Sequence, residues 1–208
     1  HQKKFSFYHS ETNEPGNTAG FHVTGLYELK NGQIWVAANS LKLFDPNQET
    51  FSLVGVKPYQ NPYLLSEGQN DQVLLSSWRE GLRVLGSDGE LIAQFKADPT
   101  KNSSLPGNAA RLAFKDREGN IGVVVHAEGV YRFQPEQNKF LRHPIIDPVT
   151  KKEFGTWYQT IHQDRRGNLW LGKDFHLIKL AKNFEVEEVY NISTYQLHED
   201  SAGLFWIA

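Results

Sequence analysis

A phrase recurring at blade-length intervals, short strand-like runs punctuated by Gly, Asn, Asp and Pro, and the lack of any extended helical period together predict an all-β chain. The specific expectation is a β-propeller segment of about four four-stranded blades plus a partial fifth. The phrase is clearest at Asp164 to Gly172, DRRGNLWLG, and returns more loosely at Glu199 to Ala208, EDSAGLFWIA. Aligned on their turns, five versions emerge: NGQIWVA from Asn31, NDQVLLS from Asn70, EGNIGVV from Glu118, RGNLWLG from Arg166 and AGLFWIA from Ala202. Their equivalent positions are Trp35, Leu74, Gly122, Trp170 and Trp206. The spacings of 39, 48, 48 and 36 residues average about 43, the length of one four-stranded blade.

Each unit is then read as four beats. In the best-preserved copy, YQTIHQD (Tyr158 to Asp164) leads into a Gly turn and the apolar strand LWLG, and LIKL (Leu177 to Leu180) and VEEVY (Val186 to Tyr190) follow across polar turns. The first copy runs LYEL, IWVA, LKLF and FSLV in the same order. The whole of 1–208 is one propeller segment: a partial outer strand at 1–19, blades at about 20–56, 57–97, 108–143 and 156–192, and a partial blade at 193–208. A single blade has two apolar faces and cannot cover both, so neighbouring units must stack on it. The repeated Trp is accordingly expected to fill the interface between blades. The third copy is expected to be a weak point, because Gly122 stands where an indole would be and VVV, Val123 to Val125, offers only small volumes nearby.

Composition excludes several function classes. Of the 208 residues, 39% are hydrophobic and 12% aromatic, enough for a real core and against a disordered chain. The net charge of -2, with Lys and Arg spread along the chain, favours neither nucleic acid nor an anionic membrane surface as a partner. There is no cysteine, which removes disulfides and Cys-type metal or redox motifs. The chain starts at His1 and contains no methionine, so it is expected to be a processed or excised piece of a longer protein. Such a piece is expected to be less stable than its parent and to associate through its end strand, Gly203 to Ala208.

The repeated phrase resembles the two-component regulator propeller repeat. Asp164, Gly167, Asn168, Leu169, Trp170 and Gly172 carry the likeness most fully. Asp116, Gly119, Asn120 and Ile121 follow until Gly122 replaces the Trp; Gly32, Ile34 and Trp35 match without the Asp; Gly81 with Leu82 and Gly129 with Val130 fit a later Gly-Leu step. The second copy is degenerate, with Gly68 and Asp71 at the Asp and Gly positions, and Phe5 to Val23 resembles a preceding outer strand. The resemblance implies the periplasmic sensor propeller of a hybrid two-component histidine kinase or a related diguanylate cyclase. A further β domain, a transmembrane helix and the output domain would follow downstream. The segment itself would be non-enzymatic, would contact the membrane only through those absent parts, and would form a homodimer, if any, through the ectodomain.

No catalytic motif, metal motif or cofactor signature stands out. His162 and His198 occupy one repeat position, two residues before Asp164 and Asp200, but Tyr27, Ser66 and Phe114 stand there in other units, which favours packing over metal ligation. Asn102 and Asn191 have the form of glycosylation acceptors and are read as ordinary loop residues. The informative contrast is among loops. Those joining second to third strands carry bulky and ionisable groups: Trp78, Arg79 and Glu80; His126 and Glu128; Asp174, Phe175 and His176. With the fourth-to-first connections around Tyr59, Asn61, Arg111 and Trp157 they fall on one rim. The candidate ligand-binding residues are Trp78, Arg79, His126, Glu128, Trp157, Asp174 and His176, and the expected partner is a small molecule or glycan. A scaffold for protein contacts or self-association is the competing reading, with a polysaccharide lyase propeller behind it.

Overall fold

Short runs rich in Val, Leu, Ile, Phe and Trp can bury both faces only as central strands of stacked sheets, and they do so here. The structure is a computed structural model that describes residues 23–38, 40–54, 62–68, 70–101, 104–116 and 118–208. The outer-strand likeness at Phe5 to Val23, all but its last residue, lies outside them, as do Tyr59, Asn61 and Asn102.

Sixteen strands form four antiparallel groups in chain order. The first is β1 (Gly25–Glu28), β2 (Ile34–Ala37), β3 (Leu41–Asp45) and β4 (Thr50–Leu53). The second is β5 (Pro62–Glu67), β6 (Val73–Ser77), β7 (Gly81–Leu85) and β8 (Leu91–Phe95). The third is β9 (Ala110–Lys115), β10 (Ile121–Val125), β11 (Gly129–Gln134) and β12 (Lys139–His143), joined to the second by one bridge, Ser77 to Ala110. The fourth is β13 (Thr160–Gln163), β14 (Leu169–Lys173), β15 (His176–Leu180) and β16 (Val186–Tyr190). A two-stranded remnant, β17 (Leu197–Glu199) with β18 (Phe205–Ile207), completes the propeller segment. The one helical element among the described residues is a 3-10 turn at Pro135–Gln137.

Strand alternation assigns every core to a junction between units. Val73 and Leu75 of β6 join Trp35, Leu41 and Leu29 of the first unit, while Leu74 between them turns to Ala113, Val123 and Val125 of the third. Val124 faces the opposite way and joins Phe114, Leu169, Leu171 and Ile178 at the next junction. The five copies keep one cross-strand register: Tyr27 opposite Trp35, Ser66 opposite Leu74, Phe114 opposite Gly122, His162 opposite Trp170 and His198 opposite Trp206. Trp35 is 1% exposed in the first junction, and Trp170 packs on Phe205 of the remnant with ring centroids 5.1 Å apart. Trp206, with no unit stacked beyond it among the described residues, is 63% exposed.

The weak point expected at Gly122 is not there. A Cβ on Gly122 would meet Cζ of Phe114 at 2.0 Å and its Cε1 at 2.2 Å, so the ring of the cross-strand partner already lies over the glycine. Phe114 is itself buried and contacts Phe184 at 6.1 Å. Sequence reading compared equivalent positions along one strand and missed that the cross-strand partner's ring lies over the glycine.

The conserved geometry of the repeat is its turn. Gly32, Gly119, Gly167 and Gly203 adopt φ of 82°, 84°, 93° and 81°, the left-handed region in which glycine meets no steric penalty. Asp71 takes the same place in the second unit at φ 62°, as Asp and Asn tolerate this conformation best after Gly. Asp164 explains the remaining spacing. Its Oδ1 accepts from the amides of Arg166 (2.9 Å) and Asn168 (2.8 Å), and its Oδ2 from Asn168 Nδ2 (2.8 Å) and Trp170 Nε1 (3.0 Å). Asp200 repeats the pattern with Ala202, Leu204 and Trp206. The six-residue Asp-to-Trp interval is thus a carboxylate closing a turn and orienting an indole, which adds to the interface-filling role read from the sequence.

Candidate functional site

Three residues before each first-strand member of the cross-strand pairs stand Thr24, Tyr63, Arg111, Gln159 and Tyr195, one from each unit. All five line a single cavity of about 800 Å³, together with Leu64, Leu112, Thr160, Gln196 and residues of β17 and β18. First strands that each contribute one equivalent residue to a shared space surround a common axis, as blades of a propeller must.

Two of the lining residues, Tyr63 and Arg111, also belong to a cluster of rim residues. Tyr63 meets Trp78 edge-on at 5.5 Å, Trp78 meets His126 at 5.1 Å, and His126 meets Trp157 at 4.5 Å, all in T-shaped arrangements. This is the geometry favoured by the ring quadrupole, with the positive edge of one ring against the negative face of the next. The guanidinium of Arg111 lies 5.9 Å from the rings of Tyr63 and Trp78 and 5.0 Å from that of Trp157. Its Nη2 donates to Gln159 Oε1 at 2.6 Å. Three aromatic rings, two from the second unit and one from the fourth, therefore face one cation, and His126 of the third unit links the two tryptophans. Trp78 and Trp157 keep 39% and 47% of their surface exposed, so this cluster is open to solvent.

Of the residues singled out from sequence, Trp78, His126 and Trp157 are brought into one contact chain, around Arg111. Others stand apart. Arg79 and Glu128 are exposed, the carbonyl of Glu128 accepting from Arg142 Nε at 3.0 Å. Asp174 is exposed beside Lys173, whose Nζ donates to the carbonyl of Phe154 and lies 5.5 Å from the Tyr158 ring. Burial there lowers the Lys173 pKa, with Asp174 opposing. His176 packs edge-on to Phe154 at 5.2 Å, away from the tryptophans. Tyr63 and Gln159 were missed by sequence reading. The signal that finds them is the repeat register itself: position alone marks an axial residue, whatever its type.

His162 and His198 share their register as expected. His162 Nε2 lies 3.8 Å from a carboxylate oxygen of Glu199 and its ring 5.7 Å from Phe205. Burial lowers its pKa, with Glu199 working against that shift. Among the described residues no three His, Asp or Glu side chains gather as a metal set, and no helix is long and apolar enough to cross a membrane.

No protein-family model and no curated protein matches this sequence. Solved structures do match by fold. The extracellular domain of BT4673 from B. thetaiotaomicron, described as a hybrid two-component system, superposes with a TM-score of 0.69 at 15% identity, over 89% of this chain and 27% of that one. The extracellular domain of the hybrid two-component system BT3049 from the same organism gives 0.63 at 16%, over 90% and 32%. Virginiamycin B lyase from Staphylococcus aureus gives 0.64 at 10%, over 89% and 62%. The chain thus shares the fold of solved two-component extracellular domains, as the repeat resemblance implied, and spans about a third or less of their length.

Proposed function

We propose that this chain is a non-enzymatic, ligand-binding segment of an extracytoplasmic sensor propeller that reports to a membrane-spanning signal-transduction regulator. The observation that carries the reading is the contact chain of Tyr63, Trp78, His126 and Trp157 beside Arg111, of which Tyr63 and Arg111 also line the axial cavity. Half-exposed rings offer flat apolar area at little entropic cost, and the cation supplies orientation. A fold alone does not assign an activity, since sensor domains and a lyase share this one. The ligand is a small molecule or a glycan, and the compartment is the periplasm.

The test is a panel of small metabolites and oligosaccharides titrated against the 208-residue chain, followed by tryptophan fluorescence and calorimetry. Trp157→Ala should weaken any hit by roughly 30-fold, about 2 kcal/mol, at unchanged secondary structure. A panel hit indifferent to both Trp157→Ala and Trp78→Ala would move the site elsewhere. Self-association is the second reading, supported by the open apolar strand where Leu204 and Trp206 are both more than 60% exposed.

A further inference from the structure

We infer that the axial cavity takes a carboxylate carried on a small ring, with Arg111 as its counter-charge. This rests on the rim being a ligand site and specifies what that site takes.

Among the side chains lining the cavity Arg111 carries the one fixed charge, since neither Asp, Glu nor Lys lines it, and Arg111 makes no ion pair among the described residues. Its Nε and Nη1 are buried without a hydrogen-bond partner, covered by rings, and its one recorded acceptor is the neutral amide oxygen of Gln159. Of the other described arginines, Arg83 pairs with Glu80, Arg132 with Asp116 and Arg142 with Glu153, and those without an ion pair, Arg79, Arg165 and Arg166, are exposed to water. A half-buried guanidinium with two of its nitrogens shielded from water and unpartnered is undercompensated, because cation–π contact recovers part of a charge's hydration and a carboxylate recovers more. Part of that desolvation has already been incurred in folding, so an arriving anion meets a donor that Gln159 and the rings already hold in place.

The chemistry of the surroundings narrows the anion. One cation matches a single negative charge, whereas a phosphate dianion would leave excess charge in an apolar wall. Guanidinium and carboxylate are both planar and pair side by side. Gln159, with Oε1 committed to Arg111, presents its amide N–H groups beside the same position. The half-exposed faces of Trp78 and Trp157 suit the ring that bears the carboxylate.

Benzoate, its neutral analogue benzamide and inorganic phosphate, titrated separately into the 208-residue chain, test this. Binding is read from tryptophan fluorescence and from the indole N–H signals in ¹H–¹⁵N spectra. Benzoate is expected to saturate, with benzamide and phosphate weaker by roughly tenfold or more, and Arg111→Gln is expected to remove that preference. Gln159→Glu places an internal carboxylate on Arg111 and should block benzoate while leaving the fold intact, which keeps the test valid if Arg111→Gln does not fold. Benzamide or phosphate binding as tightly as benzoate, benzoate binding unaffected by either variant, or no benzoate binding at all would each overturn the carboxylate assignment. The first two would leave the rim standing as a ligand site. The third leaves that reading to the panel and Trp157→Ala.

Discussion

Exchanging the two residues that face each other across β9 and β10 probes how the repeat compensates for its own irregularities. Phe114 fills the space in which the other units hold a larger second-strand residue, and its Cζ, Cε1 and Cε2 stand 2.0, 2.2 and 2.6 Å from where a Cβ on Gly122 would sit. Gly122→Ala therefore drives the ring off its position and into Phe184 or the strand, a cost of about 1–3 kcal/mol by the general record of overpacked cores. Phe114→Ala empties a fully enclosed ring site between the third and fourth units and should cost about 3–5 kcal/mol. For a chain of this size 1 kcal/mol moves Tm by about 2–4 °C, so that loss is about 6–20 °C. Gly122→Trp alone should be at least as damaging as Gly122→Ala. In the double variant Phe114→Ala, Gly122→Trp the indole enters vacated space, as Trp35 does opposite Tyr27, and the pair should cost less than the sum of the singles by more than about 1 kcal/mol. Urea and thermal unfolding followed by circular dichroism measure all four proteins. A Gly122→Trp single variant with a raised or unchanged Tm, or strict additivity in the double, would show that the ring does not occupy the site as argued.

Asp164→Asn should destabilise the chain by about 2 kcal/mol at neutral pH, since a buried carboxylate accepting from two amides, Asn168 and Trp170 loses its charge. Burial pushes the Asp164 pKa up, but the Trp170 and Asn168 hydrogen bonds outweigh it and leave the pKa lowered. Its contribution is therefore complete above the ordinary carboxylate range, about pH 4, and is lost as pH falls through the lowered native value; the wild-type and Asp164→Asn urea midpoints should converge in acid, and a pH-independent gap would contradict the account. Trp35→Ala, which empties the first junction, should cost about 3–5 kcal/mol in urea unfolding, whereas Trp157→Ala should cost under about 1 kcal/mol and register in ligand titrations. Trp206→Ser should leave Tm within about 1 °C while reducing any self-association seen by sizing or sedimentation, because the exposed indole contributes area to a contact and little to the core.

The sequence by itself determined the fold, because the repeat is a local property. A left-handed turn demands Gly or Asp at a fixed place, period-2 alternation fixes which residues face which junction, and a step of about 43 residues counts the strands per unit. Even the degenerate second copy is legible, with Gly68 and Asp71 still folding the same turn. The rim was legible as a class of loop, and Trp78, His126 and Trp157 could be named from it. What only the tertiary structure decided are relations between strands and between units. That Phe114 covers Gly122 depends on which residues pair across β9 and β10, a register that a comparison of equivalent positions never tests. The meeting of His126 with both tryptophans, the separation of His176 from them, and the enclosure of Arg111 depend on how one blade is rotated against the next. That rotation is set by the summed packing of three inter-blade cores, a collective quantity with no signature in any short stretch of chain.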